Sequence, residues 1–177
     1  MSGLLRNIIR FAIFILVQVY LLDKIPPLYQ YIIPYLYYLF ILWLPFNTSR
    51  ASLLLIGFVT GLTYDFFMKT PGLHAAACVL IAYLRPFIIN ILAPKETSEF
   101  NYREPSPKAM GWTPYLVYSL ILTLFHHSYL VLLEWLSFGS ILHFLIKIVA
   151  TTGISMLLII TTELLFPRRM KFRTNTA

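Results

Sequence analysis

The chain has 177 residues, of which 59% are hydrophobic and 12% charged, against roughly 45–50% apolar and about 25% charged in an ordinary soluble domain. A soluble fold of this length still exposes much of its area, so the composition excludes an ordinary water-soluble globule and makes lipid the expected solvent. The net charge of +7 comes from basic residues at the ends of apolar runs, which speaks for topology signals and attraction to anionic headgroups and against a nucleic-acid groove.

A helix needs about 20 mainly apolar residues to cross a hydrocarbon core of ~30 Å. The first candidate covers residues 4–22. Arg6 and Arg10 with the run after them resemble a signal peptide, yet no small-x-small cleavage site follows, so a retained first helix is expected. Pro26 and Pro27 block its continuation. The second covers residues 28–46, rich in tyrosine, with Pro34 in its first turns and Pro45 at its end. The third covers residues 51–67, after Asn47, Thr48 and Ser49 as capping oxygens. Pro71 and Gly72 turn the chain into a fourth, residues 73–92.

Residues 94–113 carry Lys95, Glu96, Glu99, Arg103, Glu104 and Lys108 with Pro105 and Pro107, the composition of a solvated loop. The fifth helix is expected over residues 114–138 and the sixth over 141–166, with a break at Gly139 and Ser140. Pro167 stops the sixth, and a basic tail, 167–177, follows. The whole chain reads as one integral membrane domain, 1–177. Arg6, Arg10, Arg50, Lys95, Arg103, Lys108, Arg168, Arg169, Lys171 and Arg173 fall on one side, against Lys24 and Lys69 on the other. An even helix number with both termini cytoplasmic satisfies that imbalance.

Ionisable residues in hydrocarbon cost ~2.5–3.5 kcal/mol or more at mid-helix, so each invites a partner. By helix rise, Arg85 and Glu163 lie near one face and are within reach of each other, while Asp65 shares its depth with Lys147 and Glu134. They are expected to act as ties between helices or snorkelling anchors, the alternative being a proton or ion path. His126 and His127 are adjacent and point about 100° apart on a helix, His74 and His143 stand alone, and Cys78 is a lone cysteine. No metal site or disulfide is expected from such spacing. Neither a nucleophile motif nor a phosphate loop nor paired carboxylates occur, so no catalytic residue and no cofactor is assigned.

The densest local signal is on the third helix. Gly57 and Gly61 form a G-x-x-x-G face that lets another backbone come close, and Asp65, Pro71 and Gly72 follow. The run Gly57-Phe58-Val59-Thr60-Gly61-Leu62-Thr63-Tyr64-Asp65, then Pro71-Gly72-Leu73 and Ile81-Ala82-Tyr83-Leu84, resembles the bacterial rod shape-determining MreD family. The T-P-G-L-H-A-A-A and A-Y-L-R-P-F wording is similar to its Bacteroidetes-type branch. So are Pro34-Tyr35-Leu36-Tyr37, Leu44-Pro45-Phe46, His126-His127 and the stretch Glu134 to Phe138. The resemblance covers most of the chain and is densest over residues 34–92.

It implies an all-α membrane protein of about six transmembrane helices, with the fold of substrate-binding subunits of energy-coupling-factor transporters. It also implies a non-enzymatic inner-membrane subunit of the cell-elongation and peptidoglycan-synthesis machinery. The expected partner is an MreC-like single-pass protein, and through it the MreB filament, RodA and a penicillin-binding transpeptidase. The packing or partner-binding residues would then be Gly57, Phe58, Gly61, Leu62, Asp65, Pro71 and Gly72, and the intramembrane ties Arg85, Glu134, Lys147 and Glu163. The alternative is a small-molecule-binding subunit of a vitamin transporter of that type, which calls for convergent polar groups in a concave site.

Overall fold

A computed structural model describes residues 3–26, 32–92, 104–134 and 141–166. They are all-helical, with no strand element among the described residues. Helix α1 spans Gly3–Tyr20 and is followed by a 3-10 turn at Leu22–Lys24. Then come α2 (Leu39–Leu42), α3 (Arg50–Met68), α4 (Leu73–Leu92), α5 (Pro107–Met110), α6 (Trp112–Glu134) and α7 (Ile141–Leu165). Five stretches, Leu5–Lys24, Arg50–Met68, Leu73–Leu92, Trp112–Leu133 and Ile141–Leu165, are long and apolar enough to cross a membrane.

Polarity is inverted relative to a soluble protein, where charged residues are almost never fully buried. Phe66 and Ile91 are 81% and 80% exposed, while Arg85, Asp65, His126, His127 and Glu163 are buried. Apolar side chains outside and polar ones inside give the chain its multi-pass transmembrane character. Helices α3 and α4 form an antiparallel hairpin, α4 packs on α6, α6 packs on α7, and α1 lies against α3 and α2. One end of the bundle carries Asp23, Lys69 and the α3–α4 turn; the other carries Arg10, Arg50 and Glu104.

The expected second helix does not form as such. Residues 28–31 of that stretch lie outside the described residues, residues 33–36 are non-helical, and α-helical turns return only at Leu39–Leu42. Pro34 explains the break: it has no N–H to donate and pushes Ile33 away from the α region. From Tyr35 to Leu44 every residue is buried, so this segment is packed around by the other helices and has no lipid-facing side. Non-helical backbone is tolerated at membrane depth only under such cover.

The remaining boundaries lie within a few residues of expectation, and one loop is corrected. Residues 94–103 lie outside the described ones, but the rest of the stretch is only partly solvated: Lys108 and Gly111 to Thr113 are exposed, and the residues between and before them are packed. Glu104, Ser106, Ala109 and Met110 are buried, Ser106 caps α5 through the Ala109 N–H at 3.1 Å, and Glu104 pairs with Arg6 and with Arg10, the latter at 2.7 Å. Two arginines of α1 neutralise the carboxylate, which is why it tolerates burial. The last four residues of the expected fifth helix, 135–138, and the basic tail lie outside the described residues.

Candidate functional site

The glycine motif builds the hairpin. A Cβ placed on Gly61 would sit 2.4 Å from Ala75 Cα and 2.5 Å from the His74 carbonyl oxygen, and one on Gly57 would sit 2.9 Å from Ala82 Cβ. The two backbones touch at Gly61, so the G-x-x-x-G face is spent inside the chain. Phe58 and Leu62 point outward, at 47% and 44% exposure. Lys69, in the left-handed region at φ 58°, ends α3, its N–H and that of Thr70 both returning to the Asp65 carbonyl. Gly72 completes the turn at φ 88°.

Asp65 then serves the start of α4. Its carboxylate accepts the backbone N–H groups of Gly72 (3.1 Å), His74 (3.0 Å) and Ala75 (2.9 Å), the Thr70 hydroxyl (2.9 Å) and, at 2.8 Å, His74 Nδ1. Leu73 and Ala76 N–H groups bond the Thr70 and Gly72 carbonyls, so all four first donors of α4 are satisfied. Depth alone had set Asp65 beside Lys147 and Glu134. Its partner among the ionisable residues is instead His74, because the turn folds the α4 N-terminus, with its positive dipole end, onto the carboxylate.

The broken segment is held by side chains of other helices. Gln18 of α1 accepts the Leu36 N–H (2.7 Å) and the Tyr37 N–H (3.3 Å) and donates to the Pro34 carbonyl (3.0 Å) and Asp23 (2.8 Å). Ser155 of α7 accepts the Tyr35 N–H at 3.3 Å. Tyr118 of α6 donates to the Leu42 carbonyl at 3.0 Å, and Arg85 donates to the Leu44 carbonyl and, at 3.1 Å, to the Tyr118 hydroxyl. The N–H groups of Tyr35, Leu36 and Tyr37 thus find side-chain acceptors on other helices, ahead of the turns that the segment closes for itself from Leu39 to Leu44. The segment descends from the level of His126 to that of Tyr115 on α6, about 16 Å of helix rise.

Arg85 and Glu163 do not form the expected ion pair. Glu163 accepts from Tyr115, which in turn accepts from Trp43 Nε1 at 3.2 Å, so the two charges are tied to neighbouring tyrosines of α6. Fixed carbonyls and a phenol within reach give the guanidinium more bonds than one carboxylate would. Lys147 lines a small cavity with Tyr35, His127 and Thr151; the side chain of Glu134 lies outside the described residues. Pro71 is exposed in the turn.

A tyrosine and histidine cluster fills the centre. Tyr37 stacks on Tyr64 at 4.3 Å, Tyr38 stacks on His126 at 4.3 Å, and the Tyr38 hydroxyl bonds Thr123 at 3.0 Å. His126 and His127, expected to diverge, turn their rings together, Nδ1 to Nδ1 at 3.3 Å. Rotation about the side-chain bonds overrides the 100° step because each ring's outer nitrogen finds a hydroxyl, on Tyr37 and on Ser155. Among the described residues no group of three or more histidine, cysteine or carboxylate side chains is placed to hold a metal.

Sequence reasoning did not find Gln18, Ser155, Tyr118 or the inward role of Tyr35, Tyr37 and Tyr38. Two signals were available: an amide deep in an apolar helix, and a hydrophobic stretch interrupted by Pro34 and ended by Pro45. Together these features define a class, the multi-pass helical bundle with a polar interior gathered around a broken segment. No protein family, no curated protein and no solved structure matches the chain.

Proposed function

We propose that this protein is a non-enzymatic scaffold subunit of the bacterial cell-elongation machinery, an MreD-like partner of an MreC-like single-pass protein. One observation supports it above others. The residues that carry the resemblance, Gly57, Gly61, Asp65 and Pro71 to Leu73, make up a single folded unit in which glycine contact, helix stop, turn and helix start depend on one another. The unit leaves Phe58 and Leu62 on its outer face for a partner or for lipid.

On this reading the chain makes six crossings of the cytoplasmic membrane, with both termini cytoplasmic. Asp23 lies beside Tyr64, near the end of α3, and Arg50 begins that helix at the opposite end of the bundle. This separation supports the reading in which the broken segment, residues 32–44, belongs to the second crossing. The vitamin-transporter alternative calls for polar groups converging on a concave site. A groove of 610 Å³ among the described residues is lined by Leu54, Phe58, Ala76, Val79, Leu80 and other mainly apolar residues, whereas the described polar side chains converge in the packed interior.

The test is a mild-detergent pull-down of the tagged protein from its native host, read by mass spectrometry. Co-purification of an MreC-like protein with RodA and a penicillin-binding transpeptidase is expected. Recovery of a transmembrane coupling subunit with two ATPases would overturn the proposal.

A further inference from the structure

Four side chains in the core form one continuous hydrogen-bond chain. The Tyr37 hydroxyl and His126 Nε2 are 2.9 Å apart, the two histidine Nδ1 atoms 3.3 Å, and His127 Nε2 and the Ser155 hydroxyl 3.0 Å. All four residues are fully buried, at 0% exposure. The chain links the broken segment through Tyr37 to α6 and then to α7, whose Ser155 also accepts the Tyr35 N–H. Facing it are Tyr38 on the His126 ring, Tyr35 5.6 Å from the His127 ring, His74 5.9 Å from the Tyr37 ring, and Cys78 beside Tyr37. Lys147 and Thr151 join Tyr35 and His127 around a cavity of 10 Å³, about the space of one water molecule.

Among the described residues no carboxylate touches either ring of the pair, so burial favours two neutral imidazoles. A neutral imidazole has one N–H and one bare nitrogen. Two such rings joined Nδ1 to Nδ1 hold a single proton between them, so one ring is protonated at Nδ1 and the other at Nε2. Two polarities satisfy this rule. In the first, Tyr37 donates to His126, His126 to His127, and His127 to Ser155; in the second, every donor and acceptor is exchanged.

We propose that Tyr37, His126, His127 and Ser155 form a buried one-proton relay with two polarities, coupling the broken segment to α7. Reversal moves the Tyr37 phenol proton to His126 Nε2, the shared proton to His127 Nδ1, and the His127 Nε2 proton to the Ser155 oxygen. Because both ends are buried, the balance is completed when transient opening of the bundle admits water, which returns one proton to Tyr37 and takes one from Ser155. The sum is a single proton passed from the segment to α7, with no group left charged.

The experiment is solid-state NMR on the protein labelled with 15N-histidine in lipid bilayers, where protonated and bare ring nitrogens resonate far apart. The wild-type protein is expected to show the two rings in opposite tautomers with a coupling across the Nδ1 pair. Ser155→Ala leaves His127 Nε2 without its acceptor and should favour His127 protonated at Nδ1 and His126 at Nε2. Tyr37→Phe should favour the reverse at both rings. Like tautomers in the wild-type protein, or variants that each change only the adjacent ring, overturn the relay. Should a variant not fold, the wild-type spectrum alone decides: exchange between the two opposite-tautomer sets upholds the relay, and a single fixed set or like tautomers overturn it.

Discussion

A single carboxylate, Asp65, holds the turn between two helices, closing two otherwise unpaired helical N–H groups and the loop before them. The His74 and Ala75 N–H groups are buried, and each buried donor left unbonded costs about 1–3 kcal/mol. Asp65→Ala should therefore destabilise the protein by about 3 kcal/mol. Asp65→Asn, which keeps one acceptor oxygen, should cost roughly half as much. Reversible unfolding in detergent micelles reads both. Equal losses for the two variants would mean that the charge on the carboxylate, and not its count of acceptors, holds the turn. Sequence position made Asp65 conspicuous, but the identity of its partners depended on how the turn folds back, which spacing does not encode.

At the scale of elements, the α3–α4 hairpin and the broken segment stand at opposite ends of legibility. Gly57 and Gly61 four apart in an apolar helix announced a close contact, and the contact is there, within the chain. Gly61→Ala puts a methyl group into the α4 backbone, which cannot give way, and should cost about 3 kcal/mol or more. Gly57→Ala meets the Ala82 Cβ at 2.9 Å and the Cys78 carbonyl oxygen at 3.0 Å, a lesser clash that should cost about 1–2 kcal/mol. Comparable losses at the two sites in a thermal melt would contradict this geometry. The broken segment was read as a helix because hydropathy reports what surrounds a residue and not its backbone shape. Its fully buried residues, Tyr35 to Leu44, have the composition of a spanning helix. Gln18→Leu should raise amide hydrogen exchange at Leu36 and Tyr37 by at least tenfold, the consequence of losing about 1.4 kcal/mol, while α4 amides stay protected. Unchanged exchange at those two amides would show that Gln18 is dispensable to the segment.

For the molecule as a whole, the charge asymmetry and the five long apolar helices were legible from composition, and the interior was not. Which polar residues meet, and that Arg85 bonds to backbone in place of Glu163, depends on tertiary placement. The two ends of the bundle make a direct prediction about topology. In a Cys78→Ala background, Lys24→Cys and Lys69→Cys in intact cells should react with a membrane-impermeant maleimide. Arg50→Cys and Lys108→Cys should react only after permeabilisation. Labelling of Lys69→Cys and Arg50→Cys from the same side would rule out the proposed arrangement.

The dependence of residues 33–44 on Gln18, Arg85, Tyr118 and Ser155 also bears on how the protein is made. Only Gln18 precedes the segment in the chain; Arg85, Tyr118 and Ser155 leave the ribosome later. The nascent segment lacks local partners for its Tyr35, Leu36 and Tyr37 N–H groups, which disfavours its entering lipid alone, whereas α3 and α4 close their turn from neighbouring residues. The expected order of biogenesis therefore departs from sequence order: the hairpin of α3 and α4 should seat first, and the earlier-synthesised segment should join the bundle once α6 and α7 have emerged to receive it. A nascent chain stalled after α4 would keep residues 33–44 open to added protease, and release of the full chain would close them.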